Sequence, residues 1–308
     1  MKLFRRKALV ASVGYGFLRL GGALVSLLPP RISARLASFL VAKIGPRLSR
    51  HRWVLANFSL LFPDRKAAEI EAMARTKWRN MGYVVGELPH LSRLARDLAA
   101  SRIDHYGVAE VLATGKPSIY ISAHIGNWEI LARAFAAIGV PLASVHQPVA
   151  ASATNRLLHH YRVSGLENIR LLPRDGVSRN LIEHLQDGWS LLFLLDTRMK
   201  HKGAKPVNFF GHDMQVSTLA AKLAWRFDCD LVPTFCKRLP SGRLVHEIHS
   251  RIPVPTKESA NRADWVLAVT SLIYSKLESE IRQDITSWLC TSRRWDKSVY
   301  RQNNIKFR

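Results

Sequence analysis

Residues 119–138 read IYISAHIGNWEILARAFAAI, and this stretch decides the fold. Ile119, Tyr120 and Ile121 are β-prone and apolar at successive positions, as a strand covered on both faces requires. His124 follows the strand, Gly126 permits a tight turn, and Asn127 can cap what comes next. Trp128 to Ile138 then reads as a helix, with Glu129 in its first turn. The same alternation recurs outward along the chain. Helix-like Ser178–Gln186 precedes the apolar run Leu191–Leu195 (LLFLL), and helix-like Ser217–Phe227 precedes Leu231–Phe235 (LVPTF). Uninterrupted apolar strands separated by helices predict an α/β fold, a mixed sheet flanked by helices.

Further out, Asp64–Leu88 carries Ile70, Met73, Ala74, Trp78 and Met81 at steps of three and four. That period predicts one long amphipathic helix, with Asp64 as its cap. Trp265 to Ile281 reads as another helix, and a basic tail follows from Arg293. The expected organisation is a helical segment over 1–48, a helical region over 49–105, an α/β core over 106–297 and a solvated basic tail over 298–308.

The 308 residues include 46 Lys and Arg against 23 Asp and Glu, a formal charge of +23. With 47% apolar and 22% charged residues, the composition excludes a disordered basic tail and points to a globular protein with an anionic partner. Position narrows the choice. No acid precedes Asp64, while eleven Lys and Arg do, among them Lys2, Arg5, Arg6, Lys7 and Arg19. The same segment holds the most apolar stretch, residues 8–28 (ALVASVGYGFLRLGGALVSLL). As a helix it is roughly 30 Å long, enough to cross a bilayer, but Arg19 near its middle costs about 2.5–3.5 kcal/mol on insertion scales. A shallow interfacial helix is therefore the competing reading. Residues 31–48 (RISARLASFLVAKIGPRL) repeat the mixture of apolar and basic side chains, which suits anionic headgroups. The segment is expected to associate with a membrane, and deleting residues 1–45 to release a soluble protein. Basic residues are not interleaved with aromatics as nucleic-acid binding requires, so no nucleic-acid partner is expected.

His124 and Glu129 are candidates for base catalysis. A neutral His that shares one ring nitrogen with a carboxylate can use the other to take a proton. On a regular helix a five-residue step turns side chains about 140° apart, so the two meet only if the turn folds His124 back over the helix start. His105 with Glu110 has the same spacing but no apolar strand directly ahead, and is read as structural. No G-x-S-x-G elbow occurs, so the attacking hydroxyl is expected on a substrate. Cys229, Cys236 and Cys290 lack the spacing of a disulfide framework or zinc site and read as free thiols. His159-His160 and His246-x2-His249 lack metal-site spacing, so no metal is expected.

Ser122–Glu129, SAHIGNWE, resembles the H-x4-[DE] block of the glycerolipid-type acyltransferases, most closely the bacterial lipid A secondary (lauroyl/myristoyl) acyltransferases. Asn57 with Phe62-Pro63, Asn80-Met81-Gly82 with Glu87, Arg162 with Gly165, Leu191–Asp196, Asn208-Phe209-Phe210-Gly211, Val232-Pro233 with Arg238, and Trp288 with Arg293-Arg294-Trp295 resemble further blocks of that family, in order. Thr197 stands where the family often has Gln, and Gln147 where it usually has Arg.

The resemblance implies transfer of a fatty acyl group from an acyl carrier protein thioester to a hydroxyl of a lipid A precursor, in lipopolysaccharide assembly. His124 would be the base and Glu129 its orienting partner, with Arg162, Asp196 and Asn127 serving the substrates. Phe209, Phe210 and Gly211 read as packing and turn residues. No cofactor is implied beyond the phosphopantetheine arm that carries the donor. The partners would be acyl carrier protein, an anionic membrane surface and a phosphorylated glycolipid acceptor, at the cytoplasmic face of a bacterial inner membrane. Another acceptor, such as a glycerophospholipid, an ornithine-type lipid or a phosphoinositol mannoside, is the alternative. A non-catalytic protein that binds anionic lipid is the alternative outside enzymes.

Overall fold

The computed structural model describes residues 15–16, 19–100, 103–104, 112–113, 115–146, 152–173, 177–200, 203–259 and 261–305. His105, Glu110, Gln147 and most of residues 8–18 lie outside them. The helices, in chain order, are α1 (Pro30–Ile44), α2 (His51–Leu61), α3 (Ala67–Glu87), α4 (Leu91–Ala100), α5 (Leu131–Ala137), α6 (Ser152–Val163), α7 (Val177–Gln186), α8 (Leu219–Phe227), α9 (Arg262–Gln283) and α10 (Lys297–Gln302). The strands are β1 (Ile103–Asp104), β2 (Ile119–Ser122), β3 (Leu142–His146), β4 (Ile169–Pro173), β5 (Ser190–Leu194), β6 (Lys205–Phe209), β7 (His212–Val216), β8 (Leu231–Arg238) and β9 (Leu244–Ile248).

Seven strands form one mixed sheet in the order β1-β9-β8-β2-β5-β3-β4, with helices on both faces. Strands β8, β2, β5, β3 and β4 are parallel, and β9 runs antiparallel to β8. The apolar runs explain the burial. Ile119 and Ile121, Leu191 and Phe193, and Leu231 and Phe235 enter one apolar cluster with α2, α3, α7, α8 and α9. Tyr120, Leu192 and Val232, one residue out of step, enter a second cluster with α4 and α5. Each central strand thus feeds two cores. Strands β3, β4 and β9 lack so plain a signal, because their polar and basic residues (His146, Arg170, Glu247) break the apolar run.

Helix α3 begins at Ala67, later than the expected Asp64 cap. The Lys66 N–H is taken by the Glu69 carboxylate at 2.9 Å, which closes the helix start locally. Helix α1 turns Ser33, Ala34 and Ser38 inward and packs closely on Gly82 and Gly86 of α3, where any side chain would strike the α1 backbone. Ile32, Leu36, Phe39, Leu40 and Ile44 are left exposed on the same helix, as are Leu20, Leu24 and Leu27 before it. Residues 19–26 are helical, and no helix among the described residues is long and apolar enough to cross a membrane. Because α1 is packed in place, deleting residues 1–45 would strip part of the core from α3.

The basic tail also differs from its sequence reading. Lys297–Gln302 is a helix whose Tyr300 is fully buried, and its hydroxyl bonds the side-chain carbonyl of Asn57. Asn57 in turn donates to the Cys290 and Ser292 carbonyls at 2.8 and 3.0 Å. Trp288, Cys290, Arg294, Trp295 and Tyr300 are therefore buried side chains of the core. Phe210 and Gly211 form the two-residue hairpin turn between β6 and β7, with φ of 57° at Phe210 and 78° at Gly211. Both turn residues have positive φ, as a tight hairpin favours. Phe210 is held in this backbone region by stacking on Trp288, with ring centroids 5.6 Å apart.

Candidate active site

The β2–β5 register builds the site. Ser122 pairs with Leu194, and the Leu195 N–H reaches the Ser122 carbonyl at 3.0 Å. Two residues beyond the last pair on each strand stand His124 and Asp196. Asp196 is wholly buried, and its Oδ1 accepts both the His124 backbone N–H at 3.0 Å and the His124 Nδ1 hydrogen at 2.7 Å. Oδ2 accepts the Trp288 indole N–H at 2.7 Å and lies 3.3 Å from the buried Arg294 guanidinium. Burial alone would raise the Asp196 pKa. The His124 and Arg294 charges, with the hydrogen bonds from His124 and Trp288, outweigh it and hold the carboxyl well below the usual range. An ionised carboxylate only accepts, so Nδ1 carries a proton, and Nε2 is the nitrogen that holds the lone pair in the neutral ring.

Gly126 makes the turn possible. Its φ is +56°, and a Cβ there would sit 1.9 Å from the Cys236 carbonyl oxygen of β8. The Asn127 N–H bonds that same carbonyl at 2.9 Å, and the His124 carbonyl accepts from Leu289 at 2.8 Å. The turn is thus pinned on two sides.

The structure gives His124 and Glu129 different hydrogen-bond partners. The Glu129 carboxylate is held bidentate by Arg162, with Nε and an NH2 group each 2.6 Å away, and also accepts the Trp128 indole N–H at 3.1 Å. The reading of Glu129 as the orienting partner is therefore corrected, since the turn aims Glu129 at α6 while Asp196 takes the imidazole. Burial would lower the Arg162 pKa, but Glu129 beside it raises it. His124, Trp128, Glu129 and Arg162 share one cavity of about 560 Å³. Its other walls come from both apolar clusters, with Val177, Phe193, Leu195 and Leu219 from one and Ala132 and Leu192 from the other. Thr197 and His146 also line it.

Asn127 does not serve the cavity. It is fully buried and donates at 2.8 Å to Glu87, which also binds Arg238 at 2.6 Å. This bracket ties the turn to α3 and β8. Asn127→Ala should cost about 1–3 kcal/mol, because it leaves buried Glu87 short of a donor, while leaving substrate KM unchanged. Thermal unfolding beside steady-state kinetics checks this, and a raised KM without loss of stability would contradict it.

One group among the described residues could hold a metal by donor type, namely Glu247, His249 and Glu280, whose donor atoms lie within 4.8 Å of one another. The Lys237 ammonium sits between its two carboxylates, at 2.8 and 2.7 Å, so the residues fit an ion-pair network and not a cation site. The three cysteines are free, with Cys236 and Cys290 buried. Trp288 and Arg294 entered the sequence reading only through family blocks. No local pattern marks them as supports of Asp196.

No curated protein matches this chain. Among solved structures it is similar to the 1-acyl-sn-glycerophosphate (LPA) acyltransferase PlsC from Thermotoga maritima, at 12% identity and a TM-score of 0.36, over 81% of this chain and 96% of that one. The sequence matches a family described as bacterial lipid A biosynthesis acyltransferase over residues 1–297, which spans the His124 turn, the Arg162 pair and the Trp288–Trp295 segment. The chain belongs to the bacterial lipid A biosynthesis acyltransferase family.

Proposed function

We propose that the protein moves a fatty acyl group from an acyl carrier protein thioester to a hydroxyl of a phosphorylated lipid A precursor. The His124–Asp196 pair, with His124 facing a cavity that apolar side chains wall in part, in a chain of this family, carries the reading. The acceptor hydroxyl loses its proton to His124 Nε2 as its oxygen attacks the thioester carbonyl. Asp196 stabilises the imidazolium that forms. Collapse of the tetrahedral intermediate expels the carrier thiolate, which takes the proton back from His124, leaving an ester and a free thiol. Arg162, fixed by Glu129, supplies positive charge to the cavity for an acceptor phosphate or the developing oxyanion. No metal or cofactor enters these steps.

The acceptor lies in a bilayer, and the exposed apolar side chains of residues 20–44 support a seat on the cytoplasmic leaflet of an inner membrane. Arg31, Arg35, Lys43 and Arg47 in and just beyond α1 suit its anionic headgroups. Helix α1 buries its small residues and exposes its large apolar ones, the reverse of a helix that covers a soluble core.

The test is transfer from purified acyl carrier protein thioesters to a panel of acceptors, with flotation on anionic vesicles as a second readout. Acylation of the lipid A precursor and co-flotation are expected. Transfer only to a glycerophospholipid would move the assignment to the alternative acceptor, and vesicle binding without any transfer would favour the non-catalytic alternative.

A further inference from the structure

The guanidinium groups nearest the His124 cavity are already committed. Arg162 is paired with Glu129, Arg294 with Asp196, and Arg198 with Asp296 at 2.5 Å. Lys200, Lys205 and Lys222 differ, being exposed and without an ion-pair partner among the described residues. The fold gathers them. The Met199 N–H bonds the Gln215 carbonyl at 2.8 Å, Lys205 pairs with Val216 across the β6–β7 hairpin, and the Lys222 N–H reaches back to Thr218 at 3.0 Å. Met199, Ser217, Thr218 and Lys222 line the cavity itself, Lys200 follows Met199 in the chain, and Lys205 pairs with Val216 beside Ser217, so the three lysines belong to one side of the cavity. The surrounding residues 197–227 hold six Lys and Arg and a single acid, Asp213.

Val177, Phe193, Leu195 and Leu219 form an apolar wall of the cavity that His124 also lines. An acyl chain needs no cation at the entrance of its own slot. Unneutralised lysines spread over a hairpin end and a helix match a broad anionic surface better than one phosphate group. We infer that the Lys200–Lys205–Lys222 rim is the docking face for an acidic carrier protein, which presents its acyl thioester to the cavity from this side. The inference rests on the acyl-transfer reading and adds to it where the donor approaches.

The experiment compares the full-length protein with a Lys200→Glu/Lys205→Glu variant, which leaves the cavity-lining Lys222 in place. Each is assayed with the carrier-protein thioester, with the acyl-coenzyme A and with the acyl-pantetheine thioester, which has neither protein nor phosphate. Exposed charge pairs are individually weak, so reversing two should raise KM for the carrier-protein thioester by about 5-fold or more. The expected result leaves kcat unchanged and the acyl-pantetheine rates equal in both proteins. Equal loss with coenzyme A and carrier protein would overturn it, since the rim would then read the small donor's phosphates. Unchanged KM, or equal loss with every donor, would overturn it as well. Anisotropy of a labelled carrier protein supplies a readout free of catalysis. If the wild type transfers from no donor, the acyl-transfer reading fails. The rim then stands only if the carrier still binds the wild type in a salt-sensitive way and not the variant, and equal binding to both or to neither rejects it.

Discussion

Asp196→Asn should lower kcat by about 10²–10⁴-fold, close to the loss in His124→Ala, with little change in donor KM. The isosteric amide keeps the space filled but can turn its NH2 toward Nδ1, which moves the ring proton to Nε2 and removes the base. Nitrogen NMR of the His124 ring reads this directly. The wild type should show the Nδ1–H tautomer and Asp196→Asn should lose it. Glu129→Gln should keep the tautomer, because Glu129 bonds Arg162 and Trp128, and any activity it loses would come through Arg162. A tautomer that follows Glu129 and ignores Asp196 would sink the assignment. The pH dependence of stability has a definite sign. The folded Asp196 pKa is depressed, so the unfolded chain binds more protons in the acid range. The contribution is complete above the ordinary aspartate pKa near 4 and is lost as pH falls. Asp196→Asn should flatten that limb.

Gly126→Ala is expected to be the most damaging single methyl in the protein. Two separate costs act there. The left-handed backbone costs about 1–2 kcal/mol with a Cβ, and the Cβ would sit 1.9 Å from the Cys236 carbonyl oxygen, a backbone atom of a central strand. Relief requires moving β8 or opening the turn, and opening it gives up the Asn127-to-Cys236 hydrogen bond and displaces His124. A total of about 4 kcal/mol or more is a large share of a typical domain's 5–15 kcal/mol, and implies a Tm drop of roughly 10 °C with most activity lost. Gly139→Ala is the control, because Gly139 has φ +78° with open space around its Cβ position. It should lose only the conformational part. Matching Tm drops in the two variants would show that the β8 carbonyl yields freely, and that close packing does not hold the turn.

Much of the fold was legible because the signals are local. The runs at 119–122, 191–194 and 231–235 are apolar on both sides of the chain, which only a doubly covered strand tolerates. The helices around Trp78 and Trp265 showed themselves by period. The edge strand β4 and the hairpin β6–β7 did not, since their partners cover only part of them and leave Arg170, Lys205 and Pro206 exposed. Tyr300 was misread as tail because its partner Asn57 lies 243 residues away.

The candidate site divides the same way. The sequence by itself determined that a histidine stands on a glycine turn at the end of a buried strand, and that cationic and apolar residues are concentrated before residue 64. Those properties belong to neighbouring residues and follow from backbone chemistry. Which carboxylate meets His124 was decided only by tertiary structure. The nearer acid in the chain, Glu129, rides the turn away toward Arg162, while Asp196, 72 residues on, arrives because β2 and β5 pair Ser122 with Leu194. Strand side chains alternate with a period of two, so a one-residue slip in that register would turn Asp196 to the other face. The partner of the base is thus a consequence of long-range sheet pairing, which no local spacing encodes.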